Sequence, residues 1–246
     1  MPARTLGEIA PAGRYARIVA LTGAGISASA GLGTFRGAGG LWTAAPELER
    51  AMHAQYLPDS LELVWQVWGG LRRAALQAGP TAAHRALARA GTTVITQNVD
   101  GLHQDAGSAG VLEVHGSAAR ARCLDGGCGW RGDNPGLEPG VLPRCPRCGR
   151  LARPDIVLFG EPLDPQVWAA AERAATSCEL FLAIGTSAFV TPAKWLAPMA
   201  RQAGALCVNV NIDDSLPAFS AFHEQVTADA DIALGEWLDS SGGADG

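Results

Sequence analysis

Short apolar runs recur along this chain, and each ends abruptly in polar residues or glycine. Arg17 to Thr22, Thr92 to Ile95, Val111 to Val114, Glu179 to Ile184 and Ala205 to Val210 follow this pattern. Unbroken apolar character without alternation is the mark of short strands buried on both faces. Between the runs the period changes. Leu61, Val64, Trp65, Trp68 and Leu71 recur at helical spacing within a stretch from about 44 to 80 that reads as helical. Thr81, after Pro80, has the N-cap pattern of a helix ending near Gly91. Asp164-Pro165 opens a helix to about Ser177, and Thr191-Pro192 opens a further one. Strands alternating with helices predict an α/β fold built on a doubly wound parallel sheet.

In such a sheet, ligands bind beyond the carboxyl ends of the strands. The polar steps after the runs are therefore the candidate chemistry. The richest is Thr96-Gln97-Asn98-Val99-Asp100-Gly101-Leu102-His103. Burying such side chains unpaired would cost roughly 1–3 kcal/mol each, so their succession at one strand end points to a site. His115 closes the third run, and its near-neutral ordinary pKa suits a general base. Gly185-Thr186-Ser187 after the fourth run has phosphate-binding character, and Asn211 after the fifth suits a ribose.

The first run ends in Gly23-Ala24-Gly25-Ile26-Ser27-Ala28, which fits the G-x-G-x-x-A form of a dinucleotide loop. One glycine permits a tight turn, the next lets a pyrophosphate approach the backbone, and Ala28 permits close helix packing. An ordinary dehydrogenase carries an acidic residue on a second strand about 20 residues on. Here Gly33 to Trp42 is a glycine-rich loop without strand character. Arg36 suits a phosphate, and Phe35 and Trp42 suit a lid.

From Arg120 to Arg153 the chain changes character. Cys123 and Cys128 enclose four residues, Cys145 and Cys148 enclose two, and sixteen separate the pairs. Four thiolates so spaced surround one tetrahedral Zn²⁺ and leave no open position for water, so the metal is expected to be structural. The segment is too short for its own apolar core, and the metal supplies its folding energy. Seven arginines against three acids make it locally basic; we read these as solvated rather than as a nucleic-acid face. Cys178 and Cys207 sit in apolar surroundings and read as core. From Arg153 to Glu161 the chain is expected to return to the main sheet.

Composition narrows the classes. The 246 residues are 48% apolar, enough for a sizeable core, and the net charge of −5 argues against nucleic acid as the main partner. No apolar run approaches the ~20 residues of a membrane span. Arg14 and Arg17 precede only a brief apolar run, unlike a signal peptide. Cysteines of this pattern fit a cytoplasmic protein with metal ligands and core thiols better than disulfides. The tail from Ser240 reads as disordered.

Taken together, GAGISASAGLGTFRG, TQNVDGLH, VHGS, the four cysteines, RPDIVLFGE, GTSAFVTPA and the VNVN strand end resemble the sirtuin family. The segments run in the expected order from residue 23 to about 213. The resemblance implies a Rossmann-like NAD-binding domain at 1–118 and 154–246, with a zinc-ribbon insert at 119–153. The helices of 44–78 are candidates for part of the small domain. It also implies an NAD-consuming protein-lysine deacylase. In that family the acyl oxygen attacks the anomeric carbon of the nicotinamide ribose, nicotinamide leaves, and a histidine deprotonates the ribose hydroxyl. The acyl group ends on ADP-ribose, so NAD is a co-substrate, in accord with the missing dehydrogenase acid.

Carried across by position, the resemblance makes His115 the base, with Asn98 and Asp100 ordering the nicotinamide ribose and Gln97 beside it. Gly23, Ala24, Gly25, Ser27, Phe35, Arg36 and Trp42 would form the cofactor loop region. Gly185, Thr186 and Ser187 would meet phosphates and the adenosine ribose, Asn211 that ribose, and Ala230 the adenine border. An acyl-lysine peptide would lie as a strand between Phe159-Gly160-Glu161 and Phe189-Val190. The sequence departs from the family at Ala30-Gly31, where Ser-Gly is common, and at Gly33, where a proline is common. Family members that remove acidic acyl groups carry Tyr-x-x-Arg where this chain has Trp68 and Leu71. A carboxylate beside Leu71 would lack a cation, so acetyl or longer apolar acyl groups are expected over succinyl. Arg72, one residue on, would reverse that if it entered the pocket. A protein ADP-ribosyltransferase on the same scaffold is the alternative activity.

Overall fold

The computed structural model describes residues 4–34, 40–136, 141–186, 191–213 and 221–239. Helix α1 (Leu6–Ile9) precedes β1 (Ile18–Thr22), and a 3-10 segment, Ala24–Ala30, leaves that strand. Helices α2 (Leu41–Ala44), α3 (Pro46–Ala51), α4 (Leu61–Ala78) and α5 (Ala82–Arg89) lead to β2 (Thr93–Thr96). After α6 (Leu102–Asp105) and β3 (Val111–Glu113) come β4 (Gly116–Cys123), β5 (Arg131–Asp133) and β6 (Ala152–Ile156). The chain closes with α7 (Pro165–Ser177), β7 (Leu180–Ile184), α8 (Leu196–Gln202), β8 (Leu206–Asn211), β9 (Glu224–Thr227) and α9 (Ala230–Asp239).

Six strands form one sheet in the order β3-β2-β1-β7-β8-β9, and every pairing is parallel. Sequence order runs one way from β1 and the other way from β7. Their boundary is therefore the switch point at which open α/β sheets hold ligands. Register brings Thr22, Thr96 and Ile184 level, so the loops after β1, β2 and β7 leave from one edge. Alternate strand residues feed two cores, as expected for a sheet covered on both faces. Ala20, Val94, Leu182 and Val208 pack with Leu87 of α5 and Leu234 and Trp237 of α9. Val19, Leu21, Ile95, Phe181 and Cys207 pack with Ala171 of α7 and Ala200 of α8.

The second sheet is antiparallel and three-stranded, in the order β5-β4-β6. It is the small ribbon inserted between the two halves of the main sheet. Its apolar support comes largely from outside: Leu61 and Trp65 of α4 bury themselves against Ala121, and Trp65 Nε1 donates to the Ala152 carbonyl at 3.0 Å.

One sequence expectation is refined here and one changes. The helical stretch 44–80 is not continuous. Pro46 restarts α3 at its first turn, and Pro58, which has no N–H to donate, lies in the break before α4. Nor does the segment after the ribbon return at once to the main sheet. Strand β6 pairs with β4 through Gly116↔Ile156 and Cys123↔Ala152, and the main sheet resumes only at β7. Backbone pairing with β4 holds this segment to the ribbon, and Asp155 adds ion pairs to Arg120, Arg122 and Arg131. The tail from 240 lies outside the described residues.

Candidate active site

At the switch point the floor is main chain. Gly25 N–H donates to the Gly185 carbonyl at 2.9 Å, and Gly23 N–H to the Ile184 carbonyl at 3.1 Å. The approach is too tight for side chains. A Cβ on Gly25 would stand 2.6 Å from Gly185 Cα, and one on Gly185 would stand 2.5 Å from Ile26 N. Gly185 also has φ +56°, a conformation that glycine adopts without strain.

Against this floor the polar end of β2 is fully ordered. The Gly23 carbonyl can only accept, so the Asn98 atom 3.0 Å from it is the amide nitrogen. The same Nδ2 donates to Ser27 Oγ at 3.3 Å, and Ser27 Oγ donates to Asp100 Oδ2 at 2.8 Å. Asp100 Oδ1 accepts from Leu102 N–H at 3.0 Å and starts α6. Gln97 points the other way, and its Nε2 donates to Thr186 Oγ1 at 2.9 Å. Asn211 Nδ2 donates to the Thr186 carbonyl at 3.1 Å, tying in the end of β8. A small cavity is lined by Ala24, Ser27, Asn98 and Asp100 from one side and by Leu71, Leu32 and Val99 from the other. It is where the expected cofactor residues meet the expected acyl residues.

His115 stands in the turn between β3 and β4 and is half-buried. Its Nδ1 lies 3.0 Å from the Gln97 carbonyl. Because that oxygen accepts, Nδ1 carries the proton and Nε2 presents the basic lone pair. Burial lowers the pKa of His115 below the ordinary histidine value, with partial opposition from the Gln97 bond. The ring is therefore neutral at physiological pH. Gly116 (φ +79°) makes the tight turn possible, since a Cβ there would sit 2.2 Å from the Asp155 carbonyl.

Behind the site stand supporting groups, of which Thr22 and His84 escaped the sequence reading. Thr22 Oγ1 donates to Thr96 Oγ1 and lies 2.9 Å from His103 Nε2, while Thr96 Oγ1 accepts Asn98 N–H at 3.0 Å. The ring of His84 lies 4.6 Å from that of His103, and Thr81 Oγ1 donates to the Ile26 carbonyl. Burial pushes His103 down to about 3 and holds His84 well below its ordinary value despite the nearby Asp100 and Asp231 carboxylates. Both rings are neutral struts. A signal existed for Thr22 and Thr96, each the polar last residue of a buried strand. His84 looked like any helix histidine.

On the acyl side, Trp42 meets Trp68 edge-on at 6.3 Å and Phe159 likewise at 6.3 Å. Trp42 thus sits with the expected substrate residues rather than with the glycine turn. Leu71 packs partly against the same cluster, and Trp68 Nε1 contacts Met52 Sδ at 3.2 Å. Arg72 turns away: Nη1 donates to the Asp100 carbonyl at 2.7 Å and pairs with Asp105 at 2.8 Å. Gly160 is exposed at the end of the β6 segment, and the Glu161 carboxylate faces inward. Ala230 opens α9, whose Asp231 receives Ser29 Oγ–H at 2.6 Å and Ala83 N–H at 2.7 Å. Phe35, Arg36, Ser187, Phe189 and Val190 lie outside the described residues.

In the ribbon, the Sγ atoms of Cys123, Cys128, Cys145 and Cys148 all lie within 4.8 Å of one another. Cys123 and Cys148 are 3.5 Å apart, and Cys128 and Cys145 are 3.7 Å apart. Sulfurs around Zn²⁺ at ~2.3 Å stand about 3.8 Å apart in a tetrahedron, so the four thiols fit a structural zinc. Burial pushes the Cys123 thiol up to about 12. Burial acts likewise on Cys145, but N–H groups of Cys148 and Arg147 outweigh it and draw that thiol down to about 7. A dication supplies the charge that lets the remaining thiols ionise. Arg131, Arg144, Arg147 and Arg150 are exposed, as the sequence reading has it, whereas Arg153 is buried; all of them are nonetheless partnered. Arg147 donates to the Cys128 carbonyl, Arg144 to the Gly149 carbonyl, and Arg150 pairs with Asp125. Arg120, Arg122, Arg131 and Arg153 pair with Glu113, Asp155 and Glu161.

The fold and these contacts define a nucleotide-binding α/β protein whose crevice combines an ordered Asn–Ser–Asp set with a neutral histidine. Comparison with known proteins makes the class particular. The Sir2 family model matches residues 23–192, and the chain belongs to that family, the sirtuins. It is 44% identical over 202 residues to NAD-dependent protein deacylase 2 of Pyrobaculum aerophilum, covering 80% of each chain. It is 45% identical over 202 residues to the NAD-dependent protein deacylase of Aeropyrum pernix, covering 78% of this chain and 80% of the relative. Among solved structures, a mutant Sir2 homologue in complex with ADP-ribose superposes with TM-score 0.86 at 34% identity, covering 93% of both chains.

Proposed function

We propose that this protein is an NAD-dependent protein-lysine deacylase that transfers the acyl group to ADP-ribose and releases nicotinamide. The names of its relatives support that activity, and the observation that carries it here is His115. A ring with Nδ1 donating to a carbonyl and a depressed pKa is already the neutral, correctly protonated base. NAD, when bound, supplies the ribose hydroxyl that needs such a base. Asn98, with both amide hydrogens engaged, offers its side-chain oxygen to the crevice, and Ser27 and Asp100 hold it there. Gly23, Gly25 and Gly185 let the two loops pack main chain against main chain, and that floor is where we place the phosphates. Gln97, Thr186 and Asn211 form one bonded set suited to ribose hydroxyls. Simple ADP-ribosyl transfer to protein would give this base less to do.

The acyl group enters between Trp42, Trp68, Leu71 and Phe159. The side chains of that cluster are apolar, and Arg72 is held instead by the Asp100 carbonyl and Asp105. We therefore read the preference as acetyl or longer apolar acyl groups over succinyl, whose carboxylate would be buried unpaired. The peptide runs along Gly160, whose N–H and carbonyl take no main-chain partner among the described residues. We keep the division into a main domain at 1–118 and 154–246 and a ribbon at 119–153, although strands β4 and β6 of the smaller sheet cross those boundaries, with α4 bracing that sheet. We place the protein in the cytoplasm: its six cysteines are free thiols, four of them gathered for metal. No described helix is long and apolar enough to cross a membrane.

The test is nicotinamide release from NAD with matched acetyl-, butyryl- and succinyl-lysine peptides. Release dependent on acylated peptide, with acetyl or butyryl ahead of succinyl, is expected. A succinyl preference overturns the pocket assignment; lasting protein label from NAD without acyl-ADP-ribose overturns the deacylase reading.

A further inference from the structure

Glu161 belongs to the segment on which the substrate peptide is proposed to lie, yet its side chain does not face that edge. Its carboxylate accepts a two-pronged bond from Arg153, at 2.6 Å and 3.0 Å, and Arg122 Nη2 lies 3.1 Å and 3.2 Å from its two oxygens. Leu158 N–H donates to the same carboxylate at 2.8 Å, and Glu161 N–H returns to the Leu158 carbonyl at 3.0 Å. The turn 158–161 is thereby closed around Gly160, which has φ +87° and is exposed. Arg153 is 3% exposed, and its Nη2 also donates to the Ile156 carbonyl at 2.7 Å. Arg153 belongs to β6 and Arg122 to β4, so one carboxylate joins both ribbon strands to the peptide edge. Burial alone would raise the Glu161 pKa, but the Arg153 and Leu158 bonds and the two guanidinium charges outweigh it and hold the carboxyl below its ordinary value. The group is a fixed anion at working pH.

Three donors on one side chain exceed what closing a surface turn requires. We infer that Glu161 is a positioning residue: clamped by Arg153 and Arg122, it sets where the Gly160 edge stands and hence how an acyl-lysine strand registers against the crevice. The inference rests on the deacylase reading with the peptide along residues 159–161. It separates Glu161, which acts from behind, from Gly160, which meets the peptide. Displacing a reacting group by about 1 Å can cost 10²-fold, and the clamp governs that placement for the peptide alone. The cofactor contacts at Gly23, Asn98 and Thr186 share no bond with it.

The experiment uses the zinc-loaded full chain. Affinity for a fluorescein-labelled acetyl-lysine peptide is read by anisotropy, NAD affinity by calorimetry, and KM for each by nicotinamide release. For Glu161→Gln the expected result is a roughly 10- to 100-fold weaker peptide affinity and raised peptide KM, with NAD affinity within about twofold. Unchanged peptide affinity overturns the inference. So does a loss in which peptide and NAD affinities fall together, since that marks general unfolding rather than positioning. Should Glu161→Gln fail to fold, Arg122→Gln removes the more exposed prong, together with a longer 3.9 Å contact to Asp155. It should give the same split at a smaller factor, about 3- to 10-fold, with Arg122→Lys recovering part of it. No split in Arg122→Gln is again an overturning result. A wild-type enzyme that binds the peptide but releases no nicotinamide fails the deacylase reading instead, and the anisotropy comparison still decides the role of Glu161.

Discussion

The two sheets of this protein solve the same problem by opposite means. The parallel sheet is sandwiched between helices, and Leu180, Phe181, Leu182, Ala183 and Ile184 are all buried on one strand. The ribbon sheet buries mostly small apolar side chains, Ala118, Ala121 and Ala152 beside Ile156, and leans on Trp65 and Leu61 from α4. Charge does there what hydrocarbon does in the main sheet: Arg120, Arg122, Arg131 and Arg153 converge on Asp155 and Glu161. The lesson concerns failure. An apolar sheet loses stability by increments, whereas a lattice of ions and thiolates fails when one component is withdrawn.

Metal removal should break the comparison most visibly. Structural Zn²⁺ contributes on the order of 10 kcal/mol to small metal domains. Chelation, or Cys145→Ser, is expected to abolish hydrogen-exchange protection over 119–153 while β1, β2, β7 and β8 stay protected. Simultaneous loss in both sheets would show that the ribbon is not separately dependent on its metal. Next in size, His115→Ala should lower turnover by about 10²- to 10⁴-fold while NAD still binds, because the change lies at a turn between the sheets. The wild-type acid limb in the pH–rate profile should fall below the ordinary histidine value of about 6.5, since burial depresses this base; a limb above it would contradict the geometry.

The main sheet has its own point of failure, at the glycine floor. Gly25→Ala would force a methyl to within 2.6 Å of Gly185 Cα, and NAD affinity should drop about 10- to 100-fold in titration calorimetry with the ribbon unaffected. Acid should act there too. His103 and His84 are neutral when folded and titrate near 6.5 when unfolded, so the unfolded state binds more protons. Stability is full above about pH 6.5 and declines as pH falls toward 3; His103→Gln should flatten that slope in denaturant titrations. The smallest effect belongs to the rim of the ribbon. Arg150 pairs with Asp125 at 2.7 Å but is largely exposed, and Arg150→Ala should cost under about 1 kcal/mol in thermal melts.

Legibility followed the same divide. The buried strands announced themselves because both faces are apolar, and the sequence limits for α7 coincide with those of the helix because Asp164 caps it through Gln166 and Val167. The cysteine spacing was enough to predict a four-sulfur cluster. What stayed hidden depended on pairing rather than pattern. Strand β6 looks like a main-sheet strand until Asp155 finds Arg120, Arg122 and Arg131 far along the chain. The exposed ribbon arginines read correctly as solvated, but the burial of Arg153 and the carbonyl acceptors of Arg144 and Arg147 carry no sequence signature. β9 and α9 went unread because Glu224 to Thr227 is short and mixed, and only its place beside β8 makes it a strand.

The glycine floor has one more consequence. A surface made of backbone offers no side chains to vary, so natural drift has nothing there to adjust except to destroy. The opposite wall, built from Trp42, Trp68, Leu71 and Phe159, is all side chain and touches none of that floor's hydrogen bonds. On the proposed assignment, selection among acyl groups rests on a single wall of side chains, set apart from the main-chain floor that takes the dinucleotide.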